Sequence, residues 1–450
     1  MDIKTEEGVN APKKTRCTKK VYSEAERSEI NDAIKKFTGL QYCKKNTIKA
    51  LKKVEKQIRR FAPLEMLKKV HVVVDTSIDL IMYFISLLFS KIIENMKNEF
   101  KSMNATILQE IFSHYRPCYK NIIEILKLEV YDQGPIIEKG RKYKIKERSN
   151  EYRISDNYIS NGITSFEIKT VKGMKVVQNH LFNQFAKLIA NPITRNLLNI
   201  YPELQFPSLK EIHEEARRII RLGNKLKNGK YLKYLRKETS FIDDDAYSYV
   251  EHSIERYNNL VLNGLMIPKI GGEKAGGRVY DFISLMPSWI RRLIKINGEK
   301  IIELDYVCLH PNLIMKIYDG NTTFLTHDTL AKKMNLEIGT VKQEHLSFFN
   351  DEVDNMLRYD IFNFYFDNDS DMLSRVIADK EENGYKITSK KLFTEESGLM
   401  GRVIERLNKD YNIFVLYIFD ALAIQEKDRD RVYTVMNETA LELGIFTTVK

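Results

Sequence analysis

Two aspartates, one at the end of a short β-prone run and one within an apolar stretch, are the residues whose setting most clearly suggests chemistry. Asp305 ends the β-prone run of residues 300–304, and the chain then breaks into a turn and a predicted helix. Asp420 is the only charged residue in the apolar stretch of residues 413–424. Buried charges are rare unless they are paired or bind a metal. Either aspartate alone could be a turn residue or a helix cap, but the pair predicts one site in which both carboxylates hold metal ions.

A glycine-rich stretch upstream presents an arginine. Residues 271–277 contain four glycines and lead directly into Arg278. The stretch lacks the Gly-Lys-Ser/Thr ending of a phosphate-binding P-loop, and by itself it is equally typical of a flexible linker. Pro287 and two further arginines, Arg291 and Arg292, follow before the run that ends at Asp305.

Taken in order, these segments resemble the family A DNA polymerases and the related phage-type single-subunit RNA polymerases. The resemblance covers about residues 270–450. Those proteins have a Gly-Arg segment, a proline-containing turn, an arginine, a hairpin ending in Asp-Tyr, a fingers helix with a lysine, and an aspartate between two apolar strands. The matching positions are Gly277-Arg278, Pro287, Arg291, Asp305-Tyr306, Lys342 within residues 339–350, and Asp420 within residues 416–424.

The resemblance implies an α+β fold: a right-hand polymerase-like palm with an antiparallel sheet, helical fingers and thumb, and a helical N-terminal region. It implies two Mg²⁺ ions as cofactors, held by Asp305, Asp420 and the backbone carbonyl of Tyr306. Nucleotidyl transfer uses two such ions about 3.5–4 Å apart, and Mg²⁺ prefers a few carboxylates plus phosphate oxygens and water. Lys342 is then a catalytic residue that stabilises charge on the triphosphate, although a lysine on a polar helix face is also common.

The same resemblance implies which residues meet the nucleotide. They are Lys342, Arg278, His310 and Phe349. His310 stands five residues after Asp305, where DNA-polymerising members have a glutamate that helps to exclude a ribose 2′-hydroxyl. An imidazole can donate or accept a hydrogen bond, so we expect weak sugar selectivity, with the ring of Phe348 or Phe349 contributing. The alternative is that His310 only shapes the turn before Pro311.

Two other polar pairs have simple explanations. His327 and Asp328 precede a predicted helix and could be linked to a metal, but Asp328 is more simply the helix N-cap. Glu395 and Glu396 predict the solvated start of a helix.

Composition shifts divide the chain into segments that would position these residues. Gly134-Pro135 marks a turn after which short alternating strands replace helical periodicity. The predicted segments are a disordered basic tail (1–20), a helical N-terminal domain (21–133), a small β-rich module (134–175), a helical thumb-like segment (176–264) and a palm and fingers core (265–450).

The net charge of +11 favours a polyanionic partner, although a lysine-rich soluble surface would give the same number. We predict that basic side chains in several segments bind a nucleic-acid template and primer, while nucleoside triphosphates bind in the core. The candidate contacts are Lys142, Lys144, Arg218, Arg221, Lys225, Arg291 and Arg292.

Bulk composition limits the remaining possibilities. The chain has 450 residues, 43% hydrophobic and 30% charged, which suits a globular protein of two or three domains. Its four cysteines form no Cys-x-x-Cys pair, so no zinc site or disulfide framework is visible, and a cytoplasmic or other reducing compartment is expected, without secretion. Residues 80–89 are the most apolar but too short for a membrane span, so they predict a buried helix and no membrane partner.

These expectations combine into one functional hypothesis. It is a template-directed nucleotidyltransferase, with a DNA polymerase that replicates a virus, plasmid or other mobile element favoured. The alternatives are a single-subunit RNA polymerase or primase-like enzyme, and a non-catalytic nucleic-acid-binding replication factor.

Overall fold

The structure, a computed structural model, describes residues 21–40, 47–95, 99–112, 118–141, 149–224, 232, 249–262, 264–321 and 324–450. The predicted tail (1–20) and the candidate contacts Lys142, Lys144 and Lys225 lie outside these residues. Helices and small antiparallel sheets are mixed along the described chain, so the fold is of the α+β class.

Short antiparallel strands build the sheets of the described chain. They are β1 (Thr47–Leu51), β2 (Lys101–Met103), β3 (Ile137–Lys139), β4 (Asn150–Ile154), β5 (Ile163–Glu167), β6 (Leu204–Gln205), β7 (Lys269–Ile270), β8 (Val279–Tyr280), β9 (Lys295–Ile296), β10 (Glu299–Asp305), β11 (Leu416–Ile418) and β12 (Ala421–Gln425). The largest sheet has the order β11-β12-β10-β9-β6. Smaller sheets pair β1 with β5, β4 with both β2 and β3, and β7 with β8.

Helices cover these sheets. They are α1 (Glu24–Thr38), α2 (Val54–Phe61), α3 (Leu64–Val70), α4 (Val74–Asn95), α5 (Ala105–Ile111), α6 (Cys118–Leu126), α7 (Asp156–Ile159), α8 (Val171–Ala190), α9 (Pro192–Ile200), α10 (Leu209–Arg221), α11 (Tyr249–Tyr257), α12 (Ser288–Arg291), α13 (Leu309–Ile317), α14 (His327–Met334), α15 (Ile338–Phe348), α16 (Val353–Met356), α17 (Asp360–Asn368), α18 (Ser370–Asn383), α19 (Ile387–Tyr411) and α20 (Arg429–Glu442).

Helix α4 forms the centre of the N-terminal half. Its side chains from Leu80 to Ile85 are almost fully buried, which confirms the prediction of a buried helix there. Asp79 on the same helix accepts hydrogen bonds from the backbone N–H groups of Lys169 and Thr170, and this ties α4 to the start of α8. In the described part of the chain no single helix is long and apolar enough to cross a membrane, although the bent pair α3–α4 meets that criterion jointly.

The five-stranded sheet is held in register by two tight turns. Asn297 and Gly298, both with positive φ, join β9 to β10, as expected for an Asn-Gly hairpin turn. Phe419 and Asp420 join β11 to β12, and Phe419 also has a positive φ, of 60°. Because β6 belongs to the segment predicted as thumb-like, that segment contributes an edge strand to the sheet that carries Asp305; the segment boundaries stay predictions.

Candidate active site

The central strands bring the two predicted aspartates to the same end of the sheet. Strand β10 pairs antiparallel with β12, and Asp305 lies opposite Ala421, the residue directly after Asp420. The N–H of Tyr306 points to the carbonyl oxygen of Asp420, 3.4 Å away. Buried Asn196 on α9 holds the base of the β11–β12 hairpin, because its side chain bonds both the N–H and the carbonyl of Val415.

Burial and neighbouring negative charges disfavour the charged forms of both carboxylates. Burial, followed by the neighbouring charge of Asp420, raises the pKa of Asp305 above its ordinary value, although the charge of Lys450 opposes this shift. Burial, followed by the charge of Glu396, raises the pKa of Asp420. Like charges held together in this way need a cation or a proton between them.

The donor set fits a divalent cation. One carboxylate oxygen of Asp305, Oδ1, is buried and has no hydrogen-bond partner among the described residues. An orphaned anionic oxygen of this kind is costly unless something compensates it. Tyr306, whose carbonyl was predicted to be a third ligand, is buried, and its hydroxyl donates to the carbonyl of Met436 at 2.7 Å. Hard oxygen ligands of this type are those that Mg²⁺ prefers.

A buried ion cluster lies beside this pair and links three separate elements. Glu396 on α19 is completely buried and accepts two hydrogen bonds from Arg278, at 2.8 and 2.5 Å. The Nε2 atom of His310 lies 2.7 Å from the same carboxylate. Burial raises the pKa of Glu396, but the hydrogen bonds from His310 and Arg278 outweigh it, and the net result is a lowered pKa.

Glu396 therefore corrects the sequence interpretation. Helix α19 begins at Ile387, so Glu396 lies well inside the helix and is not its solvated start. Residue type alone does not distinguish it from its neighbour Glu395, which is half-buried and pairs with Lys316. The helical position alone was informative: Leu392, Glu396, Leu399 and Val403 are all buried on one side of α19.

Aromatic rings fix the arginine of this cluster. The guanidinium carbon of Arg278 lies 3.6 Å from the ring centroid of Phe393 and 5.2 Å from that of Phe419. Since Phe419 precedes Asp420 in the hairpin turn, Arg278 contacts the turn that carries the second aspartate. Arg278, predicted to bind nucleotide, is thus already engaged by Glu396 and two rings.

The glycine-rich segment positions Arg278 against α19. Gly276 has a φ of 58°, and a Cβ atom there would lie 2.5 Å from the carbonyl carbon of Phe393. Only glycine allows both this backbone conformation and this close approach. The stretch is therefore a fitted contact rather than a free linker.

The predicted fingers residues take different positions. Lys342 is exposed on α15. Burial raises the pKa of Cys308, and the charge of Lys342 opposes this shift; burial and then the same charge lower the pKa of His327. Phe348 and Phe349 are instead buried, with ring centroids 4.9 Å apart. That burial corrects the expectation that one of these rings meets the sugar, because neither is available at the surface in this conformation.

Of the candidate nucleic-acid contacts within the described residues, one is buried and the others line a groove. Arg291 is buried and bonds both carboxylate oxygens of Glu303 on β10, at 2.9 and 3.1 Å, so it supports the strand rather than contacting a phosphate backbone. The structure places Arg218, Arg221 and Arg292 in an open groove of about 1210 Å³. That groove is lined in addition by Lys295, Lys300, Trp289 and Tyr249, and by the acidic residues Glu211, Glu214 and Glu215.

The N-cap of helix α14 differs from the predicted one. Helix α14 is capped by Thr326, whose hydroxyl accepts from the N–H of Thr329 at 3.0 Å, so Asp328 lies in the first turn and is not the N-cap.

Comparisons with known proteins give little support beyond this geometry. No family model matches the sequence, and no curated protein matches it. Among solved structures, the chain is similar to the POL domain of Pol1 from M. smegmatis in complex with DNA primer-template and dNTP. The identity is 11%, the match covers 61% of this chain and 71% of that chain, and the TM-score is 0.37. A likeness at that TM-score carries no argument about fold or function.

Proposed function

We propose that the protein is a template-directed nucleotidyltransferase with a polymerase-like palm, and that it acts as a DNA polymerase of a virus, plasmid or other mobile element. The observation that carries this proposal is the placement of Asp305, at the end of β10, beside Asp420, in the turn before β12: the two carboxylates have like charges, and one oxygen of Asp305 lacks a hydrogen-bond partner among the described residues. A carboxylate with only a structural role is normally paired with a cation or with hydrogen-bond donors, whereas Oδ1 of Asp305 has neither among the described residues.

In this proposal Asp305, Asp420 and the Tyr306 carbonyl would hold two Mg²⁺ ions. The ions would supply activation of the primer hydroxyl and neutralisation of the phosphates. Burial and then the charge of Glu396 raise the pKa of Asp420, and the charges of His310 and Arg278 partly oppose that shift. Lys342 would approach the triphosphate from α15. His310, held by Glu396, would lie near the sugar and give weak discrimination against ribose.

The test is primer extension by the full chain with Mg²⁺. Asp305→Asn and Asp420→Asn keep side-chain shape and should each lower the rate by at least about 10³-fold, since the loss of one metal ligand removes the main source of transition-state charge stabilisation. Asp410→Asn, an exposed change near the end of α19, is the matched control and should retain full activity. Parallel reactions with deoxy- and ribonucleotides measure sugar choice.

Binding separates loss of catalysis from loss of folding. Phosphate contacts dominate nucleic-acid affinity, so both variants should bind primer-template nearly as well as the native protein. Extension at the native rate by either variant would refute the assignment of the site. Tight binding with no extension by the native protein would instead favour a non-catalytic replication factor.

A further inference from the structure

A second cluster of possible ligands lies just beyond the aspartate site. Cys308, His327 and His345 each place one possible ligand atom so that the three atoms are within 4.8 Å of one another. The sulfur of Cys308 lies 3.5 Å from Nε2 of His327. The rings of His327 and His345 have centroids 5.2 Å apart. None of these residues belongs to the aspartate pair or to the Glu396 cluster.

The cluster contains an unsatisfied buried atom. His345 is 6% exposed, and its Nδ1 has no hydrogen-bond partner among the described residues. Its other nitrogen, Nε2, lies 2.8 Å from the hydroxyl of Tyr365. A metal-binding imidazole usually has this arrangement, with one nitrogen free for the metal and the other fixed by a hydrogen-bonding partner.

The backbone around the cluster is also fixed in place. Cys308 has a φ of 54°, an uncommon conformation for a residue other than glycine. The buried side chain of Asn312 donates to the carbonyls of Cys308 and Leu325, and its own carbonyl accepts from the N–H of Leu325. One amide therefore holds the turn carrying Cys308 against the segment that leads into His327.

We infer that Cys308, His327 and His345 form a binding site for a zinc-like transition-metal ion, which joins the turn after Asp305 to helices α14 and α15. Thiolate and imidazole are ligands for Zn²⁺ rather than for Mg²⁺. Zinc bonds of about 2.0–2.3 Å place two ligand atoms of one ion less than about twice that length apart, and the 3.5 Å between the Cys308 sulfur and Nε2 of His327 meets this condition. His327 is half-buried, so the fourth position can be taken by water.

Proton balance gives a specific signature. The ion replaces the thiol proton of Cys308, and the two imidazoles bind through lone pairs, so one proton leaves for each ion bound. The ion's role here is structural: it fixes α15, and with it Lys342, relative to the end of β10.

The experiment adds Co²⁺ and Zn²⁺ separately to the full chain after chelation. Co²⁺ should produce a thiolate-to-cobalt charge-transfer band that saturates near one equivalent, and Zn²⁺ should abolish it. Cys308→Ser should remove the band, whereas the matched control Cys118→Ser, at another buried free cysteine, should keep it. The double variant Asp305→Asn/Asp420→Asn should also keep it, which separates this site from the proposed Mg²⁺ site.

Two further variants test the site with smaller changes, in case Cys308→Ser does not fold. His327→Gln changes a half-buried ligand, and Tyr365→Phe removes only the hydroxyl that fixes His345. Loss of such a fixing partner typically costs about 10–100-fold in metal affinity, so Tyr365→Phe should shift the Co²⁺ titration by that factor. Absence of the charge-transfer band in the native protein, or its persistence in Cys308→Ser, would overturn the inference.

Discussion

At the scale of single residues, Asp305 carries a measurable energetic cost. Its pKa is raised in the folded protein, first by burial and then by Asp420. The folded state therefore binds more protons than the unfolded state at pH values between the ordinary and the raised pKa. The stability contributed by the protonated carboxyl is complete at low pH and is lost as the pH rises through the raised pKa.

Because the pKa of Asp305 is raised in the folded protein, we predict that Asp305→Asn stabilises the metal-free protein at pH 8. The gain should be roughly 1 kcal/mol or more, the value of about one unit of pKa shift, and it should vanish near pH 4, where the native carboxyl is protonated. Urea unfolding in chelator at both pH values measures it. The control Asp410→Asn should change little. If Asp305→Asn destabilises the protein equally at both pH values, burial and repulsion of the charged Asp305 carboxylate do not determine its contribution to stability.

The contact between Glu396 and Arg278 predicts strong coupling. Glu396→Gln removes the carboxylate bonded to the partly buried guanidinium of Arg278, and breaking a buried ion pair in this way costs up to about 3–5 kcal/mol. In Glu396→Gln/Arg278→Met both charges are absent, so the double variant should be more stable than the sum of the single changes indicates. A double-mutant cycle by urea unfolding gives the coupling energy. Additive effects would show that the ion pair contributes no specific stability.

At the scale of elements, the glycine-rich segment and α19 act as a fitted pair. Gly276→Ala should destabilise the protein by about 1–3 kcal/mol, because it strains the left-handed backbone and forces Phe393 to move. Gly272→Ala is the matched control, since a Cβ there meets no atom within 4 Å. Thermal unfolding and primer extension should both respond to the first change and not to the second. Equal behaviour of the two variants would exclude a fitted contact.

The elements also show what the sequence could predict. The proximity of Asp305 and Asp420 was predictable because Asp305 ends a β-prone run and Asp420 is the only charge in an apolar stretch, and a buried α4 followed from its composition. Glu396 and Arg291 were misinterpreted because their burial depends on partners 118 and 12 residues away along the chain. Phe349 was misplaced because an aromatic residue near a helix end has the same local pattern whether it faces a ligand or the core. Cys308, His327 and His345 come from three elements and match no spacing motif.

At the scale of the whole molecule, positive charge is concentrated unevenly. Arg221 and Arg292 line the open groove together with Lys295 and Lys300, which lie on β9 and β10 of the sheet that carries Asp305. Arg218 is less available there, because it bonds both oxygens of Glu215 at 2.6 Å. That this groove contacts phosphates stays a prediction, since Glu211, Glu214 and Glu215 line it as well.

We therefore predict that Arg221→Gln and Arg292→Gln each flatten the dependence of log affinity for primer-template on log salt by about 0.7–0.9, the loss of one phosphate contact. Fluorescence anisotropy across a salt series measures the slope. Arg429→Gln, an exposed arginine at the start of α20 paired with Glu426, is the control and should leave the slope unchanged. Unchanged slopes for the two groove variants would place the nucleic-acid path elsewhere.

The hydrogen bond between His310 and Glu396 has a consequence for directed evolution. Position 310 is a histidine where DNA-polymerising members of the resembled family have a glutamate, and the carboxylate next to it belongs to Glu396 on α19, 86 residues further along the chain. Changing His310 alone to glutamate would place two carboxylates side by side around a single arginine, next to Asp420. A library that varies position 310 by itself would therefore score acidic residues as harmful for reasons unrelated to sugar choice. Because Arg278, His310 and Glu396 are bonded to one another, we expect libraries that vary the three positions jointly to retain more folded variants than libraries that vary one of them.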